Sequence, residues 1–403
     1  VQVVIAGGGI GGLAAALGLA QYGIAVRVLE KAPAFGEIGA GLQLAPNASW
    51  ALDRLGVLGA ISVSAVRPRR LVWMDAIAGT QLTELDLGAR FVERYGYPYV
   101  VMHRSDLLEV LLEGCRAQPL VTLQAGKDVV ALDDRGQGVT VRCADGSSYD
   151  GDLLVGADGL WSSLRKLVVD DGDPICSEYV AYRGALPIEQ VTARASLDDV
   201  VVWTGPEMHF VQYPLRRGEL YNQVAVFKSR RYRPDRDDWG TPDELDERFG
   251  AAGEQVRSAL ASIKRDRRWP MYDRLPIEAW TRGRVTLLGD AAHPMLQYLA
   301  QGACQALEDA VVLADALGTA PDVDAALAVY QGERVPRTST VQRLARGWGD
   351  YWHLHPGPEL EARDRSLRER APDDFSDTDW FYGYGRAFDA SHAELGASWG
   401  NAR

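Results

Sequence analysis

No apolar run in the chain approaches the roughly 18 residues that a membrane helix needs, so no membrane span is expected. Cysteine is scarce. The four present, Cys115, Cys143, Cys176 and Cys304, lie far apart and never form a C-x-x-C pair, which speaks against a zinc site or a disulfide framework. Free, partly buried thiols in a reducing cytoplasm are the expectation. Positive charge is the minority, with 43 Lys and Arg against 55 Asp and Glu and a formal net charge of -12. That balance argues against nucleic acid or an anionic membrane as the main partner, although small anions need only a local positive site. The first residues carry no basic stretch and no cleavage site, so a cytoplasmic location is expected and a signal peptide is not. Repeats and low-complexity linkers are missing too. What remains, 47% apolar and 24% charged over 403 residues, is the make-up of a globular chain with two or three sub-domains sharing large cores.

The chain opens with an apolar stretch at 1–6, a run of glycines, small residues at helical spacing over 11–22, and a second apolar stretch at 25–29 that ends in Glu30. This predicts a strand–helix–strand unit of about 30 residues. Gly7-Gly8-Gly9-Ile10-Gly11-Gly12 fits G-x-G-x-x-G at the first junction. Gly7 permits the tight turn, Gly9 lets the backbone reach a pyrophosphate, and Gly12 lets the helix pack close to the strand. The helix N-terminus offers N–H donors to phosphate. Glu30, at the end of the second strand, can accept from ribose hydroxyls. Strand, helix and acid agree on a dinucleotide site, with Gly11, Lys31 and Gly41 among its expected contacts. The fingerprint alone does not separate FAD from NAD.

Two later junctions bear on that choice. Asp152-Leu153-Leu154-Val155-Gly156-Ala157-Asp158-Gly159 reads as a strand ending in an acid and a glycine, with Ser162 and Arg165 after it. Gly289-Asp290-Ala291-Ala292-His293-Pro294 follows another apolar stretch, with Gly302, Ala303 and Glu308-Asp309 beyond. In this order, from Gly7 to Asp309, the chain resembles the group A flavoprotein aromatic hydroxylases, the family of 4-hydroxybenzoate and salicylate hydroxylases. The resemblance implies an α/β fold: a Rossmann-like FAD-binding domain of the 4-hydroxybenzoate hydroxylase type, an inserted β-sheet substrate domain and C-terminal helices. It also implies that Asp290 binds the FAD ribityl chain and that Gly302 and Ala303 lie beneath the isoalloxazine. Asp158, Gly159 and Arg165 would serve both FAD and NAD(P)H, and Arg104 would lie near the FAD pyrophosphate. Taken singly, Asp158 or Arg165 would read as a helix cap or a surface ion pair. No second G-x-G-x-x-G appears, in keeping with a family whose NADH or NADPH docks transiently. A homodimer is implied on the same ground.

The pattern places FAD-binding segments at 1–70, 100–178 and 280–320, and a substrate-binding β-sheet at 71–99 and 179–279. Residues 321–403 form a C-terminal helical region and tail. Strands are expected near 200–203, 209–214, 223–227 and 285–288, and helices over 103–118, 305–317 and 324–344. The tail carries Trp380, Phe381, Tyr382, Tyr384 and Trp399, which suit a lid, a dimer contact or plain burial.

Within the strand Met208–Leu215, side chains alternate, so His209, Val211 and Tyr213 share one face. Histidine, with a reference pKa of about 6.5, can serve as a phenol base, although a lone strand histidine equally suits a satisfied core position. His209, Tyr213 and Gln297 resemble the active-site set of 3-hydroxybenzoate 6-hydroxylases. Ala181-Tyr182-Arg183-Gly184 and Trp269-Pro270-Met271-Tyr272-Asp273-Arg274 look similar as well. This implies a monooxygenase that uses NAD(P)H and O2 to convert a small phenolic acid, 3-hydroxybenzoate, to gentisate. His209 would take the phenol proton and Gln297 would hydrogen-bond the phenolate. No arginine on the His209 face is an evident carboxylate partner, so backbone N–H groups, Tyr or Gln are expected to hold that group. No metal is expected. Rival readings are salicylate 1-hydroxylation with loss of CO2, hydroxylation of a natural-product phenol, and a non-catalytic flavin-binding sensor or interaction protein.

Overall fold

Val3, Val4 and Ile5 have no exposed surface, as expected where a β-branched run is covered on both faces of a parallel sheet. They belong to Gln2–Ala6, an inner strand of a six-stranded sheet. Its order is Thr281–Arg282, Val285–Leu287, Leu153–Gly156, Gln2–Ala6, Ala25–Glu30 and Val121–Ala125. The computed structural model describes residues 1–36 and 39–385. All neighbours in this sheet are parallel except the outer hairpin 281–287. Ala6 pairs with Gly156, and Gly156 with Leu287. Three strands far apart in sequence therefore stop at one edge, and the three glycine-and-acid junctions leave it side by side. That edge, outside the carboxyl ends of parallel strands, is where open α/β sheets bind ligands.

Helix Ile10–Gln21 packs against helix Gly302–Thr319. Its small residues make this possible: a Cβ at Gly18 would lie 3.0 Å from that of Ala314. The strand Val121–Ala125 was not among the sequence expectations. It closes the sheet beside Ala25–Glu30, and a three-stranded meander over 129–151 then carries the chain back to Leu153–Gly156.

The second sheet has seven strands, ordered Arg268–Asp273, Ile175–Pro187, Leu220–Lys228, Met208–Leu215, Asp199–Gly205, Arg70–Asp75 and Gln81–Asp86. The early hairpin joins the later strands through one parallel pair, Asp199–Gly205 with Arg70–Asp75. The stretch 71–99 is not all sheet: helix Ala89–Tyr95 follows the hairpin and stops at Gly96, whose φ of 76° suits a left-handed cap. Helices Pro242–Phe249 and Glu254–Leu260 also interrupt the expected run of strands. Leu245, Phe249, Val256 and Leu260 cover the outer face of the sheet at Val180, Phe210 and Phe227. Every residue of Met208–Leu215 is buried, one face by these helices and the other by the rest of the molecule.

The longest helix runs over Val323–Trp352, eight residues past its expected end. Gly347 and Gly349 break the apolar periodicity, but Gly349 is held by packing: a Cβ there would lie 2.5 Å from Cε2 of Tyr298. Phe381 and Tyr382 are buried among Phe91, Tyr95 and Tyr99. Tyr384 meets Trp50 edge-on at 5.4 Å. Trp399 lies outside the described residues. Among the described residues, no helix is long and apolar enough to cross a membrane, and no group of His, Cys, Asp or Glu is placed to hold a metal.

Candidate active site

A cavity of about 640 Å³ runs between the two sheets. Volumes of this order hold a ligand with most of its surface removed from water. Its first end is built from the parallel-sheet junctions. Gly9 and Gly11 line it, as do Gly159, Asp290, Gly302 and Ala303, with Gly41 and Arg104 from adjacent segments. A Cβ at Gly9 would meet nothing within 4 Å, so this glycine faces open space. Gly7 and Gly12 do not line the cavity. A Cβ at Gly12 would lie 2.1 Å from Gly7 O, and one at Gly7, whose φ is 114°, would lie 2.2 Å from Ala157 O. These two glycines let the helix and the neighbouring junction close up.

Three expected cofactor contacts have other partners, and a fourth is on the surface. The Glu30 carboxylate accepts from the N–H groups of Gly8 at 2.7 Å and Ala32 at 2.8 Å, which shapes the loop. Lys31 is exposed. Asp158 caps helix Ser163–Val168, with Oδ2 accepting from Ser163 N–H at 2.9 Å, while its Oδ1 is buried without a hydrogen-bond partner. Arg165 has no exposed side-chain surface; it pairs with Asp171 and donates to Ala291 O and Ala292 O. It braces the Gly289–Ala291 turn from behind and is not on the cavity wall. The single-residue readings, a cap and an ion pair, describe Asp158 and Arg165 in this structure, except that the pair is buried.

Asp309 braces the same turn from another side. Its Oδ2 accepts from Gly289 N–H at 3.0 Å and from His293 Nε2 at 2.6 Å, and Arg334 Nε donates to Oδ1 at 2.7 Å. The sequence showed Asp309 as part of a motif and gave no sign of this role.

The second end is built on the seven-stranded sheet. His209, Val211 and Tyr213 line it, as alternation requires, with Val202, Val224 and Trp73 from neighbouring strands. Gln297, in the turn Gln297–Leu299, reaches the same cavity and is half-buried. His209 is buried, and its Nδ1 lies 2.9 Å from Nε2 of His353. Burial, and then the neighbouring His353, hold the pKa of His209 well below the usual histidine value. His353 is lowered to about 3, by burial first and by Arg363 second. Burial raises the Tyr213 phenol.

Arg183 and Arg370 also line the cavity, and neither was picked out from the sequence as a site residue. Arg370 Nε is buried with no hydrogen-bond partner, while its Nη1 lies 3.3 Å from Asp377. Arg183 stands over the Trp269 ring at 4.3 Å. Trp380, Phe381 and Tyr382 line the wall too, so these tail aromatics, of which Phe381 and Tyr382 are buried, are part of the site.

The first end fits a long dinucleotide. It offers open space before Gly9 and the N-termini of two helices without side-chain caps. Comparison with known proteins agrees. The FAD binding domain family matches residues 1–345. The chain is 41% identical over 383 residues to 3-hydroxybenzoate 6-hydroxylase 1 of Aquipseudomonas alcaligenes, covering 95% of this chain and 97% of that one. It is 39% identical over 393 residues to a 3-amino-4-hydroxybenzoate 2-monooxygenase of Streptomyces platensis, covering 95% and 96%. Its fold matches Klebsiella pneumoniae HpxO, solved with FAD and uric acid, at a TM-score of 0.82 and 29% identity over 92% of this chain and 93% of that one. The chain therefore belongs to the FAD-binding family of group A flavoprotein aromatic hydroxylases, monooxygenases that take their reducing equivalents from NAD(P)H.

Proposed function

We propose that this enzyme converts 3-hydroxybenzoate to gentisate. The observation that carries the proposal is one cavity whose walls include both the dinucleotide junctions and His209, Tyr213 and Gln297. The similarity to a 3-hydroxybenzoate 6-hydroxylase supports the choice of ring. Gly9, Gly11, Arg104, Asp290, Gly302 and Ala303 would hold FAD, which would supply activated oxygen with reducing equivalents from NAD(P)H. The protein supplies the rest. His209 takes the phenol proton, which raises electron density para to the oxygen. Gln297 donates its amide N–H to the phenolate, Tyr213 bounds the ring, and Arg183 and Arg370 are the candidate partners for the carboxylate. Trp73, Trp352 and Tyr298 keep water from the reacting atoms. A well-placed base contributes about 10²–10⁴-fold.

The division of labour is part of the same reading. Segments 1–70, 100–178 and 280–320 seat FAD, and 71–99 with 179–279 cover the ring. So are a homodimer and a cytoplasmic location; the four free thiols support a reducing compartment. The Streptomyces relative supports a second reading, a natural-product phenolic acid.

A panel of 3-hydroxybenzoate, salicylate and 3-amino-4-hydroxybenzoate separates these readings, scored for NADH and NADPH oxidation with product identification. Gentisate formed in step with NADH oxidation is the expected result. Catechol and CO2 from salicylate, or turnover of the amino compound alone, would replace the proposed substrate. No stimulation by any phenolic acid would favour a flavin-binding protein without turnover.

A further inference from the structure

Two buried imidazoles meet behind the cavity wall. His209 Nδ1 and His353 Nε2 are 2.9 Å apart, with ring centroids 5.1 Å apart and planes at 23°. His209 stands on Met208–Leu215. His353 is the C-cap of the long helix Val323–Trp352, and its backbone N–H bonds to Gly349 O and Asp350 O. Burial keeps both rings neutral at ordinary pH. A neutral imidazole has one N–H and one bare nitrogen, so the contact admits two arrangements. With the proton on His353 Nε2, the hydrogen of His209 sits on Nε2 and can only be donated to the cavity. With the proton on His209 Nδ1, Nε2 offers a lone pair to whatever the cavity holds. Only the second arrangement can accept a phenol proton.

We propose that His353 is a positioning residue for hydroxylation: it accepts from His209 Nδ1–H and so keeps His209 Nε2 bare toward the ring hydroxyl. The proposal rests on the reading of His209 as the phenol base. In the step itself the phenol O–H bond breaks and an N–H bond forms at His209 Nε2. The phenol oxygen keeps the electron pair, and no redox change occurs. The imidazolium formed still donates from Nδ1 to His353 Nε2, now as a charge-assisted bond, which is roughly twice as strong as a neutral one.

The surroundings make that bond matter. Among the described residues, no carboxylate hydrogen-bonds either ring. Tyr298, from the turn at 297–299, lies 5.4 Å from His209, and Trp352, from the long helix, lies 5.1 Å from it. Tyr179, from strand Ile175–Pro187, stacks on His353 at 4.8 Å. Arg363, from helix Pro358–Glu369, opposes positive charge on His353. Glu207 N–H donates to His353 O, but the Glu207 carboxylate faces Arg248 and His355. Burial opposes a proton on His209, and His353 opposes it only where that ring is itself charged; the neutral His353, its pKa lowered to about 3, accepts from Nδ1–H and stabilises it.

The test compares FAD-loaded wild type with His353→Phe, which keeps the stack on Tyr179 but removes the acceptor, and His353→Gln, which restores one. The probe is 3-hydroxybenzoate, with ionisation of the bound phenol read by absorbance. His353→Phe should bind FAD and ligand within about twofold of wild type, lose about tenfold or more in kcat with little change in KM, and raise the apparent pKa of the bound phenol. His353→Gln should recover most of both. Unchanged kcat and phenol titration in His353→Phe would overturn the proposal, as would equal rate losses in both variants without a titration change. A measurement on wild type needs no variant: 15N shifts of the two rings should report hydrogen on His209 Nδ1 and not on Nε2, and the opposite tautomer overturns the proposal. His209→Ala separates the levels. If it hydroxylates like wild type, the base reading itself fails; if it is slow while His353→Phe is normal, only the role of His353 fails.

Discussion

The backbone N–H of Gly41 donates to Oδ1 of Asn222 at 2.7 Å. This bond joins the two-stranded ribbon Gly41–Leu44 and Val100–His103 to strand Leu220–Lys228 of the larger sheet. The approach is so close that a Cβ on Gly41 would fall 2.6 Å from Cε2 of Tyr213 and 2.7 Å from its hydroxyl oxygen. Gly41 was expected as a cofactor contact; it lines the cavity and is also the seat against which Tyr213 rests.

Gly41→Ala should therefore act on the aromatic substrate more than on FAD. A displacement of about 1 Å at a positioning residue can cost about 10²-fold, so kcat/KM for the phenolic acid should fall tenfold to about a hundredfold. Steady-state kinetics on enzyme of confirmed FAD content measures this. An unchanged kcat/KM would show that Tyr213 does not position the ring.

The fingerprint glycines divide into two kinds, and paired variants should separate them. Gly9→Ala puts a methyl into open space, so the protein should fold with unchanged thermal stability yet bind FAD at least tenfold more weakly. Gly12→Ala drives a methyl into Gly7 O and should lower the stability of the fold itself, as overpacking by even one methyl costs about 1–3 kcal/mol. Thermal unfolding and FAD titration of both variants read the difference.

Arg334 has no exposed surface and bridges Glu308 and Asp309, each fully buried. Replacing it by leucine leaves two carboxylates short of a cation. Breaking a buried pair in this way costs about 3–5 kcal/mol. Because Asp309 also holds Gly289 N–H, Arg334→Leu should lose FAD affinity along with stability in urea. Retained FAD affinity would show that the turn at Gly289 does not depend on this network.

The two buried histidines set a pH window. Both have folded-state values below that of the unfolded chain, about 6.5, with His353 near 3. In this window the unfolded chain binds more protons than the folded one, so stability is fully present above pH 6.5 and declines as pH falls toward the folded values. Each histidine contributes a slope of about 1.4 kcal/mol per pH unit there. Unfolding midpoints should drop between pH 6.5 and 5, and the drop should be smaller in His353→Phe. A base held neutral in this way stays competent in mild acid, so the acid limb of kcat/KM should lie well below pH 6.5.

The strand–helix–strand opening and the inward face of one strand of the second sheet were legible because their signals are local. The glycine turn and the alternation over Met208–Leu215 depend on neighbours a few residues away, whereas the parallel register of Ala6, Gly156 and Leu287 that brings the three junctions together is a contact across the chain. What could not be read depends on contacts across the chain. His353 lies 144 residues from His209, at the end of a helix that runs eight residues past its expected end at 344. Arg370 reaches the cavity from the C-terminal region, where composition gave only an aromatic tail. Arg165 matched its motif, yet its donors are spent on Asp171 and two carbonyls, a fact that only packing reveals.

Single-turnover oxidation of pre-reduced, FAD-loaded His209→Ala with 3-hydroxybenzoate and O2 tests the central claim most directly. The account predicts that this variant binds FAD and the aromatic acid normally but forms gentisate about 10²-fold or more slowly, with peroxide released instead. Gentisate formed at the wild-type rate would contradict it.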